Sequence, residues 1–380
     1  MPPPKAIDSL ERLGIKTPGD YQIDCPFCES DKPKCGLSVR WRPNTPQRAD
    51  WLSGTFHCFR CEGAGSVRRG YLYPARGMEA NVHEFGKSRV ETLVTPEDAP
   101  LECVKTLHAA WRIYRSLYPS SPAEAYLTSR GLDGAHIPAG WAPPGQPTLL
   151  NAGLNRDVLV SLRLIDSRGR DTLASGGGRV ILPFSWKGKI VTLYGRAVAP
   201  NSLMSHLYTR AKMTSGDGEV VAQWRRGAFG DRGLDIDPVI VTEAPLDALA
   251  LRAMGAPNVV ALGGTANEVA TNRIPGDARV GIAFDNDTDR EQRIRLVNGS
   301  TRVITRNPGN DAARRLAEHL GVERTYRIVP PPLPNGTRVK DWADFLRQSK
   351  EQGVTPTLPS DVQAFLNGEL AVESDIGLSA

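Results

Sequence analysis

The spacing of apolar residues changes character along the chain, and each change marks an element. From Thr106 to Leu132 the pattern is helical: Leu107, Ala110, Trp111, Tyr114 and Leu117 share one face. Pro119 and Pro122 interrupt it, and residues 123–129 predict a second, short helix that Gly131 ends. Residues 138–147 are a Pro/Gly-rich link. Between 155 and 235 the chain reads as strands and turns. The run 158–165 is apolar and alternating, and 180–184 and 190–194 flank Trp186-Lys187-Gly188-Lys189 as a hairpin. From Pro238 the pattern changes again. Strands at 239–242, 259–262, 279–284 and 326–329 alternate with helices at 246–254 and 312–320, and Pro245 is well placed in the first turn of the former. Such alternation predicts a mostly parallel sheet with helices on its faces. No fixed-period repeat is present.

The expected fold class is therefore α/β, preceded by a smaller β-rich segment. Residues 1–75 stand apart because they hold five of the six cysteines. Residues 76–105 read as a linker, 106–235 as a mixed α+β subdomain, 236–348 as the α/β domain and 349–380 as an acidic tail. A length of 380 residues suits two or three domains. No apolar run approaches a membrane span. Met1-Pro-Pro-Pro-Lys5 carries no stretch of signal-peptide type, so a cytoplasmic location is expected and the cysteines are not expected to form a disulfide framework.

Cys25-Pro-Phe-Cys28 and Cys58-Phe-Arg-Cys61 are two Cys-x-x-Cys knuckles. Two residues between thiolates let both sulfurs face one ion, and two such turns complete a tetrahedral Zn²⁺ site. Four protein ligands close the site, so the zinc is expected to be structural. Between the knuckles lie basic and aromatic residues, among them Arg40, Trp41, Arg42 and Trp51. Charge that holds phosphates beside rings that stack on bases suits single-stranded nucleic acid. Phe56 and Phe59 serve better as the small core such a fold needs.

A second cluster falls in the α/β region. Glu243 directly follows the strand 239–242, and Asp285 and Asp287 directly follow the strand 279–284. Ligands gather at the carboxyl ends of strands in open parallel sheets. Three carboxylates converging on one edge repel one another unless cations neutralise them, and hard oxygen donors suit Mg²⁺ or Mn²⁺. The alternative for Asp287 is an N-cap.

Taken in order, these residues resemble the DnaG-type bacterial and phage primases. Cys25-Pro-Phe-Cys28 with Phe56-His-Cys-Phe-Arg-Cys61 resembles the primase zinc ribbon. Ala125-Tyr-Leu-Thr-Ser-Arg-Gly-Leu132 is similar to the Tyr-Leu-x-x-Arg-Gly-Leu element before the polymerase core, and Arg179-Val-Ile-Leu-Pro-Phe184 with Tyr194-Gly-Arg196 to the first half of that core. Val239-Ile-Val-Thr-Glu-Ala-Pro-Leu-Asp247, Ala283-Phe-Asp-Asn-Asp287 and Lys340-Asp341-Trp-Ala-Asp344 resemble the motifs of the Toprim fold. The resemblance implies that Glu243, Asp285 and Asp287 bind the catalytic metals and that Asp247 and Asp341 are accessory acids. It places Arg196 in the primer–template and nucleotide cleft. Arg210 and Lys212 fall where the family has a Lys-containing stretch.

The implied activity is template-directed synthesis of short RNA primers on single-stranded DNA from ribonucleoside triphosphates, by a two-metal nucleotidyl transfer. A replicative helicase is a candidate partner. Alternatives are a Toprim-type DNA-cleaving enzyme, or a non-catalytic single-stranded-DNA-binding or helicase-loading protein. The chain has no phosphate loop of the helicase motor type, which suits a phage, plasmid or other mobile element.

The sequence also departs from the family. Cys28 stands where the commonest ribbon has His, and Ala343 stands where a second Asp is usual. The stretch after Asp287 is long, with Asn298-Gly299 as a hairpin signal. That hairpin is expected to bring Arg290, Arg293, Arg295, Arg302 and Arg306 close to the metal site, either in contact with template or nucleotide phosphates or as a solvated charged hairpin.

Charge sharpens the division. The chain has 47 Lys and Arg against 42 Asp and Glu. Residues 351–380 contain none of the basic residues and carry Glu351, Asp361, Glu369, Glu373 and Asp375, so the body before them is more basic than the average. Val362, Phe365, Leu366 and Leu370 predict a helix in that tail, either for a partner or as a solvated end.

Overall fold

In the computed structural model of the chain the described residues are 8–11, 13, 15–16, 19–23, 35–41, 52–58, 64–68, 71–74, 91–92, 97, 99–132, 137–175, 177–199, 202, 205–209, 212–214, 220–224, 227–264, 268–288, 290–295 and 301–369. The chain divides into two compact units: residues 1–94 with 289–306, and residues 95–288 with 307–380.

The first unit is an antiparallel sheet of seven strands, β1 (Asp8–Ser9), β2 (Gly19–Ile23), β3 (Cys35–Trp41), β4 (Leu52–Cys58), β5 (Ala64–Arg68), β6 (Tyr71–Pro74) and β7 (Glu91–Thr92), in the order β1-β6-β5-β4-β3-β2-β7. Leu37, Val39, Leu52, Phe56, Val67 and Leu72 are buried along it, so Phe56 serves as core. β2 and β4 both end on the row Ile23–Cys35–Cys58. Cys58 thus closes β4, while Cys25, Cys28 and Cys61, together with Arg42 and Trp51, lie outside the described residues.

The second unit begins with α1 (Leu101–Ser116), inside the expected linker, and α2 (Pro122–Ser129), whose Ser121 accepts the Glu124 N–H as N-cap. β8 (Gly140–Ala142) lies within the expected Pro/Gly link. After α3 (Thr148–Asn151) comes α4 (Arg156–Ser161), which corrects the strand expected at 158–165. Asn155 accepts the N–H groups of Asp157 and Val158, and this cap commits the apolar run to a helix. β9 (Arg179–Trp186) and β10 (Lys189–Ala197) form the expected hairpin; Lys187 and Gly188 take φ of 47° and 78°, as its two-residue turn requires. With β11 (His206–Tyr208) they make the antiparallel sheet β11-β10-β9-β8, and β12 (Lys212–Thr214) pairs with β13 (Val220–Gln223).

Beside α1 lies a buried acid. Asp171 is 5% exposed and accepts the Tyr114 hydroxyl, and burial pushes its carboxyl up to about 6. The folded state therefore holds this proton more tightly than the unfolded chain, and stability falls as pH rises from about 4 to 6. Asp171→Asn is expected to flatten that decline and to raise stability at pH 8 by about 1–2 kcal/mol, as thermal melts across pH would show.

The α/β part follows: β14 (Val239–Thr242), α5 (Pro245–Ala253), β15 (Val259–Ala261), α6 (Glu268–Thr271) and β16 (Val280–Ala283). The chain leaves this unit after Thr288 for the hairpin β17 (Arg290–Arg295) and β18 (Thr301–Arg306), and returns at Asn307 into α7 (Pro308–Leu320), β19 (Thr325–Arg327), α8 (Trp342–Glu351) and α9 (Ser360–Asn367). The sheet β15-β14-β16-β19 is parallel throughout, as the alternation predicted.

The helix of the acidic tail is neither free for a partner nor solvated. Val362 and Phe365 are buried, Phe365 stacks on Tyr326 at 5.8 Å, and Arg279 donates to the Phe365 carbonyl. Gly281 in β16 lets this helix approach: a Cβ there would meet Ile328 at 2.5 Å and Phe365 at 3.1 Å. Among the described residues no helix is long and apolar enough to cross a membrane.

Candidate active site

β14 and β16 are neighbours, and the chain crosses from β14 to β15 on one side and continues to β19 beyond β16. The carboxyl ends of β14 and β16 therefore flank a topological switch point, where open α/β sheets hold ligands. Glu243 follows β14; Asp285 and Asp287 lie one strand away, in the loop after β16.

Hydrogen bonds from four directions pin that loop. Arg327 on β19 donates through Nη1 to the carbonyls of Ile282 (3.0 Å) and Phe284 (2.9 Å), and through Nη2 to that of Asp285 (3.0 Å). The Asn286 N–H donates to the Lys340 carbonyl at 2.7 Å. Asn307 Nδ2 donates to the Asp287 carbonyl at 2.8 Å, which ties off the base of the β17–β18 excursion. The Gly309 N–H, at the start of α7, donates to Asp287 Oδ2 at 3.2 Å. Burial pulls the Arg327 guanidinium down to about 10, so it remains a cation at neutral pH. Arg327→Met is expected to take the donor from the Phe284 and Asp285 carbonyls, while Ile282 keeps the Ile328 N–H, to cost about 2–3 kcal/mol of stability and to lower turnover about tenfold, in paired melting and rate measurements.

The acids differ in what they do. Lys340 Nζ sits 2.6 Å from Asp285 Oδ2 and 3.4 Å from Asp287 Oδ1, so these two carboxylates share one cation. Glu243 is half-buried; burial and the charges of Asp285 and Asp287 push its carboxyl up to about 7, against the opposing pull of Lys340. The carbonyl of Glu243 accepts the N–H groups of Gly263 and Gly264 at 2.9 and 3.2 Å. Asp247 on α5 is 5% exposed and accepts the Ala343 N–H at 3.0 Å, while Asp341 accepts the Asp344 N–H at 2.7 Å as N-cap of α8. Burial, reinforced by neighbouring acids, raises both carboxyls above the usual range, and the Asp344 N–H opposes this at Asp341. These two acids are thus engaged in holding the start of α8. Asp344 pairs with Arg130 and Arg347.

Among the described residues no three His, Cys, Asp or Glu side chains close around one point tightly enough to hold a metal ion. The donor set nevertheless fits one. Asp285 and Asp287 already reach a common cation, the Lys340 ammonium, and carboxylate oxygens are the donors that hard divalent ions take.

The remaining candidates are scattered. Arg196 on β10 donates from Nε to the Tyr126 hydroxyl at 3.2 Å and from Nη1 to His206 Nε2 at 2.6 Å; His206 Nδ1 meets the Tyr194 hydroxyl at 2.7 Å. Burial and the neighbouring Arg196 and Arg179 pull His206 down to about 4, so the ring is neutral and can accept from Arg196. Arg40 is exposed on β3, and Trp41 ends that strand. Lys212 starts β12, and Arg210 lies outside the described residues. Arg293 and Arg295 lie on β17 opposite Val303 and Thr301. Their hairpin is grouped with the first unit. Sequence reasoning missed Arg327, Gly309 and the side chain of Lys340. Lys340 alone carried a signal, as the first residue of the Lys340-Asp341 motif.

Residues 238–351 match the family model described as Toprim domain. A DNA primase of Pseudomonas aeruginosa is 28% identical over 366 residues, covering 87% of this chain and 47% of the relative. One of Pseudomonas putida is 28% identical over 281 residues, covering 66% of this chain and 39% of the relative. The chain thus spans less than half the length of these relatives. Among solved structures, the zinc-binding and RNA polymerase domains of the Aquifex aeolicus primase align with a TM-score of 0.48 at 16% identity, over 92% of this chain and 79% of that one. The chain is similar to DNA primases over most of its length, and residues 238–351 match the Toprim domain.

Proposed function

We propose that the chain is a primase, a template-directed RNA polymerase that makes short primers on single-stranded DNA. The observation that carries this reading is the sharing of one cation by Asp285 and Asp287, on a fixed loop at the switch point of a Toprim sheet. The 28% identity to DNA primases supports it.

In this reading Glu243, Asp285 and Asp287 hold divalent Mg²⁺ or Mn²⁺. Bound there, the ions would lower the pKa of the primer 3′-hydroxyl and neutralise the leaving pyrophosphate. Asp247 and Asp341 fix the start of α8, and with it Lys340, beside the acids. Arg196, held by Tyr126 and His206, presents a fixed positive charge for a phosphate of the nucleotide or primer–template. Arg210, Lys212, Arg293 and Arg295 are further candidate phosphate contacts. Cys25, Cys28, Cys58 and Cys61 hold a structural Zn²⁺. The common row on which β2 and β4 end supports this, because each knuckle begins within two residues of it. Arg40, Trp41, Arg42 and Trp51 then grip the template by charge and stacking. A replicative helicase remains the candidate partner.

The test is direct. The full chain, single-stranded DNA, ribonucleoside triphosphates and Mg²⁺ or Mn²⁺ should yield short RNA. Cut DNA in place of RNA would assign the site to DNA cleavage, and DNA binding with neither product would reduce the fold to a scaffold; either overturns the proposal.

A further inference from the structure

Lys340 holds the position a metal ion would need. Its ammonium lies on both Asp285 and Asp287, with 49% of the side chain exposed. A divalent ion bound to those same oxygens would stand about 2.0–2.6 Å from them and compete with the ammonium for their lone pairs. Loading of the site therefore works against the present seat of Lys340. It cannot go far, because its carbonyl accepts the Asn286 N–H at 2.7 Å and the next residue, Asp341, caps α8. The backbone is clamped beside the acidic loop, and the flexible four-carbon stem swings about a fixed point. Any position it reaches stays within a side chain's length of the loaded carboxylates, the region that the nucleotide's triphosphate enters.

We propose that Lys340 is a positioning residue with two stations. Without divalent ions it neutralises Asp285 and Asp287; with them it turns outward and binds the phosphates of the incoming ribonucleoside triphosphate. The inference rests on the metal-site reading above and goes beyond it, because it makes one lysine a competitor of the metal and a ligand of the substrate. Removing Lys340 must then move the two affinities in opposite directions.

The experiment titrates the full chain with Mn²⁺ alone, followed by electron paramagnetic resonance or calorimetry, and then with ATP at saturating Mn²⁺. Lys340→Met is expected to bind Mn²⁺ about tenfold more tightly and ATP about tenfold more weakly. Lys340→Arg is expected to restore most of the ATP affinity, since a guanidinium also grips phosphate. Melting curves of both variants check that the fold is intact. Weaker Mn²⁺ binding by Lys340→Met would make the lysine a mere organiser of the acids, and unchanged ATP affinity would remove its second station; either overturns the proposal. If the wild-type chain binds no Mn²⁺, or if Asp285→Asn leaves Mn²⁺ binding untouched, the metal-site reading itself fails, and this proposal with it.

Discussion

Replacing Asp285 and Asp287 together by Asn should reduce primer synthesis by about a thousandfold or more while single-stranded DNA binding persists. The substitution is nearly isosteric. It removes two negative charges from the switch point but keeps an oxygen at 287 that can accept the Gly309 N–H. Lys340 loses its partners, at little cost, because half of its side chain already meets water. The fold should therefore survive, and the loss should appear in the rate of RNA formation and not in the melting temperature or in a DNA-binding isotherm. Full-rate synthesis by the double variant would place the chemistry elsewhere.

Gly309→Ala is expected to be nearly as damaging, for a reason of space. A Cβ at 309 would stand 1.9 Å from the carbonyl oxygen of Asp285 and 2.8 Å from its carbonyl carbon. Both are backbone atoms, so no rotamer change relieves the clash; the start of α7 and the acidic loop must separate. That separation breaks the Gly309–Asp287 hydrogen bond and moves the Asp285 carbonyl off Arg327. The expected result is a loss of about a hundredfold in turnover and about 2–3 kcal/mol of stability. Gly276→Ala is the control, because nothing lies within 4 Å of a Cβ there. Equal behaviour of the two variants would show that the close approach does not matter.

How much of this was legible beforehand depends on the range of the interactions. The alternation from Pro238 onward fixed a parallel sheet, because strand and helix periods are local. The same locality placed Glu243, Asp285 and Asp287 at strand ends. The apolar run after Asn155 was misread because so short a stretch fits both periods, and the Asn155 cap decided between them. Val362 and Phe365 were visible as one face of a helix, but nothing in their spacing says that Tyr326 and Gly281 lie beneath them. Arg327 reads in sequence as an ordinary charge on a short strand. Its role rests on three carbonyls more than forty residues earlier, and no local pattern carries that information.

The pinned loop has a consequence for synthesis of the protein itself. Every group that fixes Asp285 and Asp287 is encoded after them: Asn307, Gly309, Arg327 and Lys340 all follow. A chain growing from its amino end presents Asp285 and Asp287 before any of these clamps exists. The acids become a site only when residues up to about Asp344, which seats Asp341 as the cap of α8, have folded back onto the sheet. A ribosome-bound or truncated chain ending before that point would carry the acids without the architecture that holds them together at the sheet edge. Competence is thus tied to completion of the domain.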